Sequence, residues 1–277
     1  MKLAKYTLTV PDLQCLDDKH GNARHKNARK KNSTRVHAPG TALTCDASGP
    51  FDKSLGGNKY RLTYKDLGSK VKKSYYGPEI TTEFVLTSLR QCVRWFWNQQ
   101  GTQIVYLKLL RTDHATAFTS NEFEEYLRNH GIEHEGVAPH EHSGLGTSEK
   151  EVQDADSAQI KSMHSSGFAK HRPHLWAEVA ASNELVENVL PRERNKWLSN
   201  MQILDPTFTF DFGRIRMMPI GCLVFVTKPL KSSGAGSRQR KGKSKVEAGA
   251  LVGYQVPKMK SKDCYRVTKL SNGKIIT

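Results

Sequence analysis

Ordered alternation of hydrophobic and polar positions begins after residue 40. Ala42 to Asp46 is a short, largely apolar run closed by Ser48-Gly49-Pro50, which reads as a strand and a turn. Lys59 to Lys65 places Tyr60, Leu62 and Tyr64 on one face at a period of two, and Val71 to Tyr76 reads as a third strand stopped by Gly77-Pro78. From Thr82 to Gln99 the period changes. Val85, Leu89, Cys92, Val93 and Phe96 follow the i, i+4, i+7, i+8, i+11 stripe of an amphipathic helix, with Trp95 and Trp97 flanking it as core or edge packing. Ile104 to Leu110 reads as a buried strand running into Arg111-Thr112-Asp113. Thr119 to Glu122 has the spacing of a capping box, opening a helix with Phe123 and Leu127 on its apolar face. Gly131 ends that helix and Ile132 to Val137 forms another strand.

A His- and Gly-rich loop, Ala138 to Thr147, precedes a second capping box, Ser148 to Glu151, which opens a polar helix toward Ser165. A last helix, about Pro173 to Leu190, buries Trp176, Val179, Leu185, Val186 and Val189, and Pro191 stops it. Three consecutive strands followed by alternating helices and strands predict an α/β fold: a mixed sheet with flanking helices. Past residue 200 the texture changes. Phe208, Phe210 and Phe212 alternate as in a strand, and Gly221 to Val226, Ala250 to Tyr254, Tyr265 to Val267 and Lys274 to Ile276 read as short strands of a small β-barrel. The expected division is a basic arm over 1–40, an α/β core over 41–195 and a small β domain over 196–277.

Charge changes the picture most. The chain has 43 Lys and Arg against 27 Asp and Glu, a net charge of +16, which favours a polyanionic partner, nucleic acid first and an anionic membrane surface second. The positive charge is clustered. Lys19 to Arg35 is basic, and the loop 228–245 carries Lys228, Lys231, Arg238, Arg240, Lys241, Lys243 and Lys245 with no acid. The best apolar run, Met217 to Val226, is far shorter than the ~20 residues of a spanning helix and contains Pro219, so no membrane partner is expected. No secretory signal is legible. Cys15, Cys45, Cys92, Cys222 and Cys264 are scattered and odd in number, which fits a reducing compartment better than a disulfide framework.

Three acids stand out by position: Asp46 at the end of the first strand, Asp113 at the end of the fourth and Glu149 in the first turn of a helix. Strand ends and helix N-termini can converge on one sheet edge, where carboxylates hold two divalent ions about 3.5–4 Å apart for in-line phosphoryl displacement. Their spacing alone leaves open the plainer reading of ordinary solvated caps. His140 and His142 lack a third ligand at fixed spacing and read as solvated loop histidines.

The words around these acids carry a resemblance. LKLLRTDHATAFTSNEFEEYLRNHGIEHEGVAPHEHSGLGTSEKEV resembles the second half of the integrase core of copia-type LTR retrotransposons, with Arg111, Asp113, Phe118, Phe123, Gly131, Ile132, His134, Pro139, Gly146 and Glu149 in register. Thirty-five residues separate Asp113 from Glu149, the spacing of the family's Asp, Asp-35-Glu triad. TCDASGP matches the family's strand ending in D-x-x-G-P, which makes Asp46 the first acid, and HLWAEVAASNELVENVLP resembles its W-x-E-A helix. The resemblance implies an RNase-H-like mixed five-stranded sheet with a small C-terminal SH3-like β-barrel. It implies 3′-end processing and strand transfer that insert element DNA into target DNA. Asp46, Asp113 and Glu149 would be both catalytic residues and ligands for two Mg²⁺ or Mn²⁺ ions. Lys150, Lys161, Arg238, Arg240, Lys241, Lys243 and Lys245 are the expected nucleic-acid contacts. The implied partners are double-stranded DNA, as element ends and as target, and further copies of the chain; the implied location is the nucleus, after a cytoplasmic particle stage.

Departures from the family pattern accompany the match. His114 stands where an Asn is usual, Ala117 for a Glu, Leu145 for an Asn and Lys150 for an Arg. Glu151, Asp154 and Asp156 add negative charge to a helix that should face DNA, where like charges repel phosphate. The zinc-binding N-terminal module is reduced to Asp12-x-x-Cys15, so no zinc is expected. Two alternatives follow: a degenerate or domesticated copy that binds nucleic acid without catalysis, and an RNase-H-like nuclease that cleaves without joining.

Overall fold

The computed structural model describes residues 36–99, 106–113, 115–137, 156–212, 216–227, 246–255 and 264–276. Its first layer is a five-stranded sheet in the order β3-β2-β1-β4-β5. The strands are β1 (Ala42–Ser48), β2 (Tyr60–Asp66), β3 (Lys72–Gly77), β4 (Leu109–Asp113) and β5 (Glu133–Val137). β1, β2 and β3 form an antiparallel meander, whereas β4 runs parallel to β1 and β5 parallel to β4. The sheet is therefore mixed, with its parallel half on one side of β1. Gly49, just past β1, has φ +128°, and a Cβ there would meet the Lys59 carbonyl oxygen at 2.7 Å, so this turn requires glycine.

One face of the sheet packs on α1 (Thr82–Gln99), which buries Val85, Leu86, Leu89, Cys92, Val93 and Phe96 against Leu43, Cys45, Leu62, Tyr64 and Leu110. Trp95 packs at the edge of this core, and Trp97 lies edge-on to Tyr106 at 5.9 Å. α2 (Asn121–Asn129) adds Phe123 and Leu127. Its cap differs by one residue from the expected box. Ser120 is the cap and accepts from the Phe123 N–H at 3.3 Å, while the Thr119 hydroxyl donates to the Thr116 carbonyl of the preceding 3₁₀ turn. β4 begins at Leu109, later than the expected Ile104, since its parallel partner begins at Ala42, opposite Leu109.

The opposite face is covered by α3, whose described residues run 156–165, by the single-turn α4 (Phe168–His171) and by α5 (Trp176–Val189), entered through a 3₁₀ turn at Pro173–Leu175. This interlayer is polar at β2 and β3. Arg61, Thr63, Lys65, Lys72 and Ser74 are all buried there. Arg61 and Lys72 find partners contributed from far along the chain, as when Lys72 Nζ donates to Glu187 Oε2 at 2.9 Å. Alternation alone would have put these side chains in solvent.

A second, all-antiparallel sheet has the order β6-β7-β8-β9, comprising β6 (Leu223–Thr227), β7 (Val246–Gln255), β8 (Cys264–Lys269) and β9 (Ile275–Ile276). It docks on α5. Ala250 and Val252 join Met163, Phe168, Leu175, Trp176 and Val179 in one cluster, while Leu251 and Tyr254 meet Leu185 and Val186 in another. Arg172 donates to Thr268 Oγ1 at 2.7 Å and to the Lys269 carbonyl at 3.2 Å, tying the turn before α5 to β8. Phe208, Phe210 and Phe212 form no strand. The short helix α6 (Asn200–Leu204) ends in a turn in which Phe208 N donates to the Asp205 carbonyl, and Phe208 and Phe210 then pack onto the cores. No helix among the described residues is long and apolar enough to cross a membrane.

Candidate active site

The parallel pairing of β1 with β4 matches Ala42 to Leu109, Leu43 to Leu110 and Thr44 to Arg111, and stops there. Two residues further on, at the same level on both strands, come Asp46 and Asp113. By then β1 is bonded only to β2 (Asp46 opposite Thr63), and β4 only to β5 (Asp113 opposite Val137). This is the point where the sheet's connections run off in opposite directions, and a crevice at the carboxyl ends of such strands is where α/β sheets bind ligands. Leu43 and Cys45 on β1, and Leu110 on β4, face the α1 core, so the alternation turns Asp46 and Asp113 to the opposite face together.

Both carboxylates are half-buried and locally braced. Asp46 Oδ1 accepts from the Ala47 N–H at 2.7 Å, and Asp113 Oδ1 from the Ala115 N–H at 3.3 Å. Burial pushes the Cys45 thiol well above the usual thiol range, a hydrogen bond with Tyr64 opposes it, and the charges of Asp46 and Asp113 add to it. Cys45 is thus a core residue and no nucleophile.

The end of β4 is held by a relay that the sequence pattern did not single out as functional. Thr112 Oγ1 donates to the Asp113 carbonyl at 2.9 Å and lies 2.9 Å from His134 Nε2, whose Nδ1 is 2.6 Å from Glu124 on α2. Arg111 donates through Nε and an Nη to one oxygen of Glu135, at 2.9 and 2.6 Å. The G-I-x-H word around His134 was the only sequence signal for this relay; Glu124 had none.

Hard oxygen donors in partial contact with water suit Mg²⁺ or Mn²⁺, so the pair Asp46 and Asp113 fits such ions by chemistry. Among the described residues no three His, Cys, Asp or Glu side chains gather as a metal site. The expected third acid, Glu149, lies outside the described residues, as do Lys150, Arg238, Arg240, Lys241, Lys243 and Lys245. Lys161 is half-buried on α3.

Asp156 changes role. The sequence pattern placed its charge against DNA; in the structure it accepts a charge-assisted hydrogen bond from Arg61 on β2, while Arg61 Nη1 donates to Gln159 Oε1 at 3.0 Å. Burial raises the Asp156 carboxyl above the usual range, and Arg61 pulls it back down. This clasp fixes α3, the helix downstream of Glu149, over the face of the sheet that carries Asp46.

The five-stranded mixed sheet with its flanking helices has the RNase-H-like fold of an integrase core, and the four-stranded antiparallel sheet that follows is consistent with an SH3-like domain. The chain is similar to the simian T-cell lymphotropic virus intasome solved in complex with PP2A regulatory subunit B56 gamma, at a TM-score of 0.50 and 16% identity over 91% of this chain and 84% of that one. It also matches the HTLV-2 integrase catalytic core domain in complex with magnesium, at a TM-score of 0.46 and 16% identity, over 61% of this chain and 99% of that one. In sequence it is 35% identical over 103 residues to the retrovirus-related Pol polyprotein from transposon TNT 1-94 of Nicotiana tabacum, which bears out the resemblance to retrotransposon proteins. That match covers 36% of this chain and spans 7% of the polyprotein's length. No family model matches the chain.

Proposed function

We propose that this chain is a retrotransposon integrase, a metal-dependent polynucleotidyl transferase that trims the 3′ ends of element DNA and joins them to target DNA. The observation that carries this reading is the level placement of Asp46 and Asp113 where β1 and β4 cease to pair. We take Glu149 as the third acid on the sequence alone. Two Mg²⁺ or Mn²⁺ ions held by these carboxylates would stabilise charge on the attacking and leaving oxygens of an in-line displacement. The protein's own residues do the positioning. The Thr112–His134–Glu124 relay and the Arg111–Glu135 pair hold the end of β4, and the backbone N–H groups of Ala47 and Ala115 orient the two carboxylates.

Double-stranded DNA, as element end and target, is the proposed substrate, bound through Lys150, Lys161 and the basic loop with Arg238, Arg240, Lys241, Lys243 and Lys245. Action in the nucleus, after a cytoplasmic particle stage and in a multimer of this chain, follows from that chemistry. One set of observations favours a second reading, a non-catalytic DNA-binding remnant. Ala117 and His114 replace the usual polar neighbours of Asp113, and Glu151 and Asp154 crowd the Glu149 segment with negative charge. A metal titration with a labelled duplex separates the readings. Loss of 3′-terminal nucleotides that requires Mg²⁺ or Mn²⁺ supports the enzyme, and joined products separate integrase from nuclease. Salt-sensitive binding with an intact end supports the remnant.

A further inference from the structure

At the end of the sheet away from Asp46 and Asp113, five cations crowd around one ion-paired acid. Lys65 lies opposite Lys72 across β2 and β3, and Lys70 sits in the turn between them at φ 68°. The hairpin 192–198 closes over this turn, since Asn195 Nδ2 donates to Asn200 Oδ1 at 3.0 Å and Asn200 Nδ2 to the Lys70 carbonyl at 3.2 Å. It brings in Arg192 and Arg194. Glu187 is already engaged by Lys72 at 2.9 Å and by Arg192 at 3.4 Å. Asp66 is buried and accepts from the Gly40 N–H and from the Ser69 N–H and hydroxyl. Burial, followed by repulsion from Lys72, Lys70 and Arg194 against the pull of Glu187, lowers the Lys65 ammonium to about 7. Against these cations stand Glu187, the buried Asp66 and the exposed Glu193 of the hairpin itself.

The hairpin also displays an aromatic ring. Lys196 and Trp197 take consecutive left-handed conformations, at φ 55° and 63°, which side-chain-bearing residues rarely adopt. The turn is held by Lys196 N to the Glu193 carbonyl at 2.8 Å, Trp197 N to the Arg192 carbonyl at 3.0 Å and Arg192 N to the Leu198 carbonyl at 3.3 Å. The strain presents Trp197 with 69% of its surface exposed, between the exposed Lys196 and Leu198. An exposed indole on a hydrogen-bonded turn beside cations is an arrangement that can hold unpaired bases, because stacking needs a fixed flat face and the backbone needs neighbouring positive charge.

We propose that this hairpin binds an unpaired stretch of nucleic acid, with Trp197 stacked on a base and Arg194, Lys196 and Lys70 on the flanking phosphates, a role that rests on the reading of the chain as a DNA-handling protein. A single-stranded stretch is the ligand such a site fits, since duplex DNA offers no free base face to it.

Fluorescence anisotropy with the full chain tests this, using labelled oligo-dT and a duplex of equal length on the wild type, Trp197→Ala, Trp197→Phe, and Arg194→Glu with Lys196→Glu. Trp197→Ala should weaken oligo-dT binding about tenfold and duplex binding less than twofold, with Trp197→Phe retaining most of the affinity. The charge reversals should weaken oligo-dT further and flatten its salt dependence. Wild-type binding of both DNAs with Trp197→Ala and the charge reversals unaffected would overturn this proposal alone. A wild type that binds no DNA at low salt would sink the integrase reading with it. Reduced self-association of Trp197→Ala in sedimentation, with unchanged oligo-dT affinity, would assign the ring to a contact between copies and overturn the proposal. Each variant is compared at matched far-UV circular dichroism and melting temperature.

Discussion

Arg61 and Asp156, ninety-five residues apart in sequence, form an ion pair between β2 and α3, with the Arg61 side chain only 3% exposed. Gln159, one turn further along α3, accepts from the other guanidinium nitrogen. A single buried cation thereby clamps two consecutive positions on the inner face of the helix. Removing the acid strands that cation. Asp156→Ala should cost about 3 kcal/mol in urea unfolding, as expected when one partner of a largely buried pair is deleted. An Arg61→Met, Asp156→Leu double variant should recover much of the loss. Equal stability of Asp156→Ala and wild type would mean the clasp does not hold α3.

Lys65 makes stability depend on pH. Its ammonium is lowered from 10.5 to about 7, chiefly by burial and then by Lys72 and Lys70. Between those two values the unfolded chain holds a proton at this site that the folded chain has released, so stability rises with pH through this window; below about 7 the full cost of burying the charge remains. From pH 6.5 to 8.5 the wild type should gain on the order of 2 kcal/mol. Lys65→Met should remove most of that slope and be the more stable protein at pH 6.5. Parallel pH profiles for the two proteins in chemical denaturation would contradict the assignment.

Trp176 joins the two sheets. Its ring packs on Phe51 at 4.5 Å and Tyr76 at 5.7 Å, its Nε1 donates to the Asp52 carbonyl at 2.6 Å, and its cluster includes Ala250 and Val252 of β7. Trp176→Ala should cost about 3–5 kcal/mol, the range for emptying a large aromatic site. Because the cavity lies at the seam, limited proteolysis of this variant should release the 246–276 region before the core is cut. Uniform digestion would argue against a seam role.

Much of the five-stranded sheet was legible because its apolar face repeats at a period of two and α1 at 3.6. The bounds of α1 at Thr82 and Gln99 agree with those the apolar stripe predicts. Tyr64 on β2 landed in the core as its alternation with Leu62 required. The opposite face was not legible. Arg61 and Lys72 look like solvent positions by pattern, and only the tertiary partners Asp156, Gln159 and Glu187 make their burial tolerable. Sequence could not pair residues so far apart. Tyr106 shows the converse failure: it lies in an apolar run read as buried strand, yet it is 66% exposed, because β1 has no residue there to pair with it. For the site, the sequence put Asp46 and Asp113 at strand ends, and the structure sets the two level on one face of the sheet, since register follows from alternation and parallel pairing. The Thr112–His134–Glu124 relay depends on how α2 packs over β5, which no local pattern carries.

Electrostatic attraction to DNA should be carried by the basic loop. Replacing Arg238, Arg240, Lys241, Lys243 and Lys245 together with alanine should weaken duplex binding and reduce the slope of log affinity against log salt by roughly one for each phosphate no longer neutralised. An unchanged slope in fluorescence anisotropy would remove these residues from the interface.

The central claim is that Asp46 and Asp113, level at the ends of β1 and β4, belong to a working transferase centre. Strand transfer of a labelled oligonucleotide duplex in Mg²⁺ or Mn²⁺ tests it most directly, run beside Asp46→Asn, Asp113→Asn and Glu149→Gln at matched DNA occupancy. Joined products are expected from the wild type, none without the metal and none from any of the three variants. DNA bound by the wild type without cleavage or joining in either metal would contradict it and leave an integrase fold that only binds.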